Sequence, residues 1–343
     1  MGCCSSWWYC RRYGVRDAGA GAAAVAEADP RETVARAARV LARSATAGAV
    51  LVFIVLVASA FLRLAQAAEA WPDAIVVVRF AHRIAAAGVG FLVLVIAVVC
   101  WSVRRRQPGE AMVAAGLVAL TIFLSVLGRA TPGSELPAVT LGNLLGGMAM
   151  MGLLWWLRLG ARETRLPPVA AASAFCWMGV ALLAIQLALG ALVSASHAAG
   201  SCTTFPDCHG FWWPADAPLA ALDPGQIFEP LSDAAPGTET RRQALHMLHR
   251  FGAVVVLAYW SILAVILRAR SLAIAKASAV VTLMLIAEAV LGFAVVGTSA
   301  ILAAVAHNAW AALTMLTAVR AACQSRLAEE ASVSAACQTV TSK

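Results

Sequence analysis

The sequence predicts an all-α membrane protein whose eight transmembrane helices form two tandem four-helix units. Three observations carry this. The 343 residues are 61% hydrophobic and 13% charged, with a mean hydropathy of +0.80, whereas a soluble domain is about half apolar and a quarter charged. The apolar residues gather into eight runs that meet or approach the roughly 20 residues a helix needs to cross a bilayer. Finally, motifs of the first four runs recur in the last four.

The spans are expected near 44–62, 84–103, 111–128, 136–157, 168–195, 251–267, 277–297 and 301–319. The sixth is short alone and reaches full length if it begins near His246. Residues 1–43 contain no apolar core of a cleavable signal and read as a cytoplasmic tail, with a weak amphipathic helix over 31–43. The opening MGCCSS fits the myristoylation pattern formally. However, 24 Arg against 2 Lys and abundant Ala point to a GC-rich bacterial genome, where such acylation is not expected. The division is a tail (1–43), a first unit (44–165), a second unit (166–322) and a cytoplasmic tail (323–343).

The net charge of +8 is not a nucleic-acid footprint, because the basic residues sit in alternate loops. Arg31, Arg36, Arg39 and Arg43 precede span one, and Arg104–Arg106 follow span two. Arg158, Arg162 and Arg165 follow span four; Arg268, Arg270 and Lys276 follow span six; Arg320 and Arg326 follow span eight. The positive-inside rule then puts both termini in the cytoplasm of a bacterial inner membrane and the long loop between spans five and six outside. Of nine cysteines, only Cys202 and Cys208 fall in that outer loop, where an oxidising compartment permits a disulfide. A zinc site from His197, Cys202, Cys208 and His209 is the competing reading, and the outer location favours the disulfide.

Four pairs of anchors recur in the same order. AEAWPDA (68–74) aligns without gaps to CTTFPDC (202–208), and HRIAA at 82 to HRFGA at 249. SVLG (125–128) aligns to AVLG (289–292) at an offset of 164, and the same offset pairs Asn143 with His307. Each unit has an even number of spans, so the copies share an orientation, as in parallel repeats.

Ionisable groups within spans mark functional sites. His249 and His307 are expected at a similar outer depth on spans six and eight, and two imidazoles from facing helices can hold a haem iron from both sides. Gly252, Ala253, Ala303, Ala304 and Ala306 leave room for a flat macrocycle, and Arg250 is placed to meet a propionate. His246, one turn earlier, borders the same pocket. Glu288 in span seven must be neutral or paired, with a partner the sequence does not reveal. The first unit offers His82 and Arg83, with Asn143 in the second ligand position. Trp155–Trp156 and Trp212–Trp213 read as interfacial belts.

Through RFAHRIAA, LPAVTLGNLLGGM, GALVSASHAAGSCTTFPDCHGFWWP, HMLHRFGA and VAHNAWAAL, residues 45–322 resemble the haem A synthase family, the cytochrome oxidase assembly proteins that act on haem O. The resemblance implies eight spans, a haem b cofactor in the second unit ligated by His249 and His307, and a substrate haem O in the first. It matches Cys202 and Cys208 to the family's outer cysteine pair. It also implies oxidation of a haem O methyl group to formyl by successive hydroxylations, with His82 and Arg83 as catalytic residues and His82, Asn143 and Arg79 at the substrate haem. Haem O synthase and other oxidase assembly components are the partners it implies, with homo-oligomerisation open. Four positions depart from the family pattern: Arg79 replaces a glutamate, Asn143 replaces a histidine, and Ala68 and Ala74 replace a first cysteine pair. Arg79 stays protonated and is no general base, though it can hold a propionate. The alternative is therefore a non-catalytic haem b-binding assembly factor or electron-transfer cytochrome. A transporter is a third and weaker reading, since no span is broken near the midplane.

Overall fold

The computed structural model describes residues 30–105, 107–131, 134, 136–160, 172–214, 223–230 and 237–341. Most of the N-terminal tail, with its acylation motif, lies outside these residues, as do Arg162 and Arg165. The chain forms α1 (Pro30–Ala67), α2 (Pro72–Ser102), α3 (Pro108–Ala130), α4 (Pro137–Gly160), α5 (Ala172–Ala195), α6 (Thr238–Leu267), α7 (Leu272–Thr298) and α8 (Ile301–Thr341). All eight contain a stretch long and apolar enough to cross a membrane, and no strand occurs among the described residues. This is an all-α, multi-pass membrane protein.

Local chemistry sets the helix starts. Pro72, Pro108 and Pro137 open α2, α3 and α4, where a missing N–H costs no intrahelical bond. The α1–α2 turn is tight: Glu69 and Trp71 adopt positive φ, and the Trp71 ring stacks on Phe61 with centroids 5.9 Å apart. Several helices outrun the apolar runs that announced them. The sixth begins at Thr238, and α8 continues through the expected tail to Thr341. Helices end where backbone bonding ends, and polar turns beyond the bilayer still bond internally.

Packing runs in two rings. In the first, α1 touches α2, α2 touches α3, α3 touches α4 and α4 closes on α1; α5 to α8 repeat the circuit. The backbones of the helices on each diagonal stay apart, and α2 and α4, or α6 and α8, are the diagonal pairs carrying the candidate ligands. The rings meet where α8 packs on α1 and α4, and α4 on α5. Trp155 and Trp156 belong to this seam: they pack on the core of the second ring, with Trp156 tilted against Trp177 at 6.0 Å. They therefore pack inward at this seam as well as standing near a span end, only partly buried. Large exposed side chains such as Phe91, Val98, Val265 and Leu283 form the face the bilayer covers.

Glycines let helices approach closely in the first ring. A Cβ at Gly142, Gly146 or Gly147 would come within 2.7 Å of Leu127, Leu124 or Leu56, so α4 sits nearer to α3 and α1 than any side chain would allow.

Candidate functional site

In the second ring, His249 on α6 and His307 on α8 face each other across the open diagonal, ring centroids 6.4 Å apart and planes at 87°. Both rings are partly buried. Each rests where a glycine makes space: a Cβ at Gly190 would lie 2.9 Å from His249 Cε1, and one at Gly292 would lie 3.4 Å from His307 Cε1. An iron bonded to one nitrogen of each ring at about 2 Å per bond needs centroids about 6 Å apart, counting the half-width of each imidazole. The observed spacing meets that requirement, so these residues fit a bis-histidine haem.

Each ring has one nitrogen beside a polar neighbour, within hydrogen-bonding geometry for His249 and in ion-pair range only for His307. His307 Nδ1 lies 3.2 Å from Glu288 Oε1, which identifies the partner of the intramembrane carboxylate. His249 Nδ1 lies 3.0 Å from Gln186 Nε2, which also donates to the His249 carbonyl at 2.9 Å. The Gln186 Oε1 atom is buried without a partner and occupies the space left by the missing side chain of Gly252. Gly252 thus makes room for Gln186, where the sequence suggested room for a macrocycle.

Arg250 is engaged elsewhere than expected. Its Nη1 donates to the carbonyls of Thr204 (2.8 Å) and Asp207 (2.7 Å), and its Nη2 to that of Cys202 (2.8 Å). Cys202 and Cys208 form a disulfide, so Arg250 clamps the disulfide loop instead of presenting both edges of its fork to a propionate. Carbonyls in an irregular loop need donors, and this guanidinium supplies three. His209 Nε2 lies 3.1 Å from the Ser201 carbonyl. Among the described residues no group of three or more His, Cys, Asp or Glu could hold a metal ion, which removes the zinc reading. His246 is buried (5% exposed), with Nδ1 unpartnered.

The first ring is built differently. His82 Nε2 lies 3.0 Å from Ser59 Oγ of α1. Asn143 donates through Nδ2 to Thr131 Oγ1 at 2.8 Å, an interaction with the end of α3, and no contact joins it to His82. Arg79 and Arg83 are exposed; after the Gln66 amide is turned, its oxygen accepts from Arg79 Nη2. Among the described residues, one imidazole and no opposing ligand is the inventory of this site.

Sequence reasoning missed Gln186, Ser59, Gly190 and the partner of Glu288. Gln186 carried a readable signal, as the one long polar side chain in its own apolar span. The serine and the glycines carried none, because their roles come from neighbours on other helices.

Residues 71–319 match the family model COX15-CtaA, described as cytochrome oxidase assembly protein. Heme A synthase of Shewanella oneidensis (strain MR-1) is 32% identical over 256 residues, covering 69% of this chain and 73% of that protein.

Proposed function

Because this chain belongs to the COX15-CtaA family of cytochrome oxidase assembly proteins, we propose that it is a haem A synthase that converts the haem O methyl group to formyl at the first ring. It is an enzyme of the oxidoreductase class, and the family expectation of haem binding meets a site of the right dimensions in the second ring. The observation that carries the reading is the contrast between rings. One presents two imidazoles 6.4 Å apart, while the other presents a single imidazole and leaves the opposite face open to substrate chemistry. In this reading His249 and His307 hold a haem b cofactor, which supplies one-electron transfer when bound.

The chain's own residues divide the remaining work. Ser59 orients the His82 ring, Arg83 and Arg79 offer guanidinium groups to propionates, and Asn143 leaves one side of the substrate pocket without a protein ligand. His246 borders the cofactor pocket. The units at 44–165 and 166–322, the inner-membrane placement with both termini cytoplasmic, and contact with haem O synthase or other oxidase assembly components belong to the same proposal. Haem extraction and chromatography from cells with and without the protein tests it: haem A should depend on the chain. The second reading, a non-catalytic haem b assembly factor, is favoured by Arg79 standing where the family has glutamate. Haem content with unchanged haem A production would select it.

A further inference from the structure

Arg63 lies on the last two turns of α1, at the seam between the rings. Its Nη2 donates to Ser194 Oγ at 2.7 Å, across 131 residues of sequence, while its Nε is buried with no hydrogen-bond partner. No carboxylate pairs with it among the described residues. A guanidinium inside a membrane bundle with an idle donor and no counter-ion is costly unless an anion completes it.

The surroundings are donor-rich. On the turn that follows Ser194, Ser196 Oγ is also buried and unpartnered, and Arg242 Nε donates to the Ser196 carbonyl at 2.9 Å. Leu245 packs with Val193 and Ala198, which brings the buried His246 toward the same turn. Register ties Arg63 to the first ring's site: Ser59, which holds His82, is exactly one helical step of four residues earlier on the same face of α1. Arg63 therefore stands about 6 Å outward of the His82 contact, at 1.5 Å per residue. Porphyrin carboxylates hang from one edge of the macrocycle, several ångströms from the metal, so this is the level at which one would arrive.

We propose that Arg63, aimed by Ser194, is a carboxylate-binding residue at the outer seam that takes a propionate of the macrocycle bound at His82. The proposal rests on the reading of the first ring as the substrate-haem site. It adds a binding residue that belongs to the first ring by sequence and is positioned by the second, so substrate would be sensed across the seam.

The probe is zinc protoporphyrin IX, whose metal takes a single axial ligand, compared with its dimethyl ester. Each is titrated by fluorescence into full-length protein already carrying the haem of the second ring. Wild-type protein should bind the acid more tightly than the ester. Arg63→Gln should weaken the acid about tenfold or more, as for loss of a charge-assisted bond, and leave the ester unchanged, so that the preference narrows. Arg63→Lys should retain part of it, since the charge stays and the fork is lost. Ser194→Ala, which only frees the guanidinium, should shift the ratio in the same direction and serves if Arg63→Gln does not fold. Unchanged acid-to-ester ratios in Arg63→Gln and Ser194→Ala would overturn the proposal. A ratio that moves only for reconstitution of the second ring's haem would overturn it too, assigning the residue to the cofactor. His82→Ala separates the underlying reading: if it leaves probe binding intact, the first ring is not the macrocycle site, whatever Arg63 does.

Discussion

Among single residues, the second ring assigns each candidate ligand a partner, and those partners are testable apart from the ligands. Glu288 lies 3.2 Å from His307 Nδ1. Groups behind a metal-bound imidazole typically contribute about ten- to a hundredfold in affinity. Glu288→Gln should therefore keep a six-coordinate spectrum while releasing haem to a competing apoprotein faster, whereas His307→Ala should lose the low-spin b-type signal altogether. An equal release rate in the Glu288 variant would show that the carboxylate is not supporting the ring. In the first ring, Asn143→His places a second imidazole donor on the open diagonal. Protein loaded with haem O should then exchange a high-spin component for a low-spin one, leaving the His249–His307 signal unaltered. Absence of that conversion would mean that α2 and α4 do not enclose the substrate iron.

At the scale of elements, the helices are positioned by what glycines omit and by what one arginine ties down. A Cβ at Gly190 would meet His249 Cε1 at 2.9 Å, and overpacking of this kind costs about 1–3 kcal/mol. Gly190→Val should displace the His249 ring, seen as a weaker low-spin band and a lowered Tm. The loop from Cys202 to Cys208 hangs on three Arg250 bonds, each worth about 1.5–3 kcal/mol when charge-assisted. Arg250→Gln should expose the disulfide, so that a membrane-impermeant reductant opens it about tenfold or more faster than in the parent, the effect of losing one such bond. A reduction rate identical to wild type would make the clamp irrelevant. Here sequence and structure part company. The position of Arg250 beside a haem ligand suggested a propionate, and the competing demand of unpaired loop carbonyls could not be seen before the loop was folded against α6.

For the whole molecule, the two rings and their shared seam make topology the governing constraint. Single cysteines introduced at Glu229 and at Arg105 should label differently from outside intact cells, the first readily and the second only after permeabilisation. The reverse pattern would invert both sites relative to the membrane. Much of this was legible in the residues. Runs of about 20 apolar side chains leave a chain no stable alternative to helices inside a bilayer, since every backbone group must bond internally. His249, His307 and Glu288 stood out because ionisable groups in such runs are costly, and the repeated His-Arg and the loop cysteines could be matched by order alone. What only the tertiary structure decided are the contacts across helices: Ser59 on His82, Gln186 on His249, Glu288 on His307, Arg63 on Ser194, and Asn143 turned to Thr131. The physical reason is that a hydropathy pattern states how deep a residue sits and says little about which way it faces. Depth follows from transfer of side chains out of water and is nearly additive along the chain. Facing depends on helix rotation and close approach, set here by glycines against particular leucines and histidines many residues away.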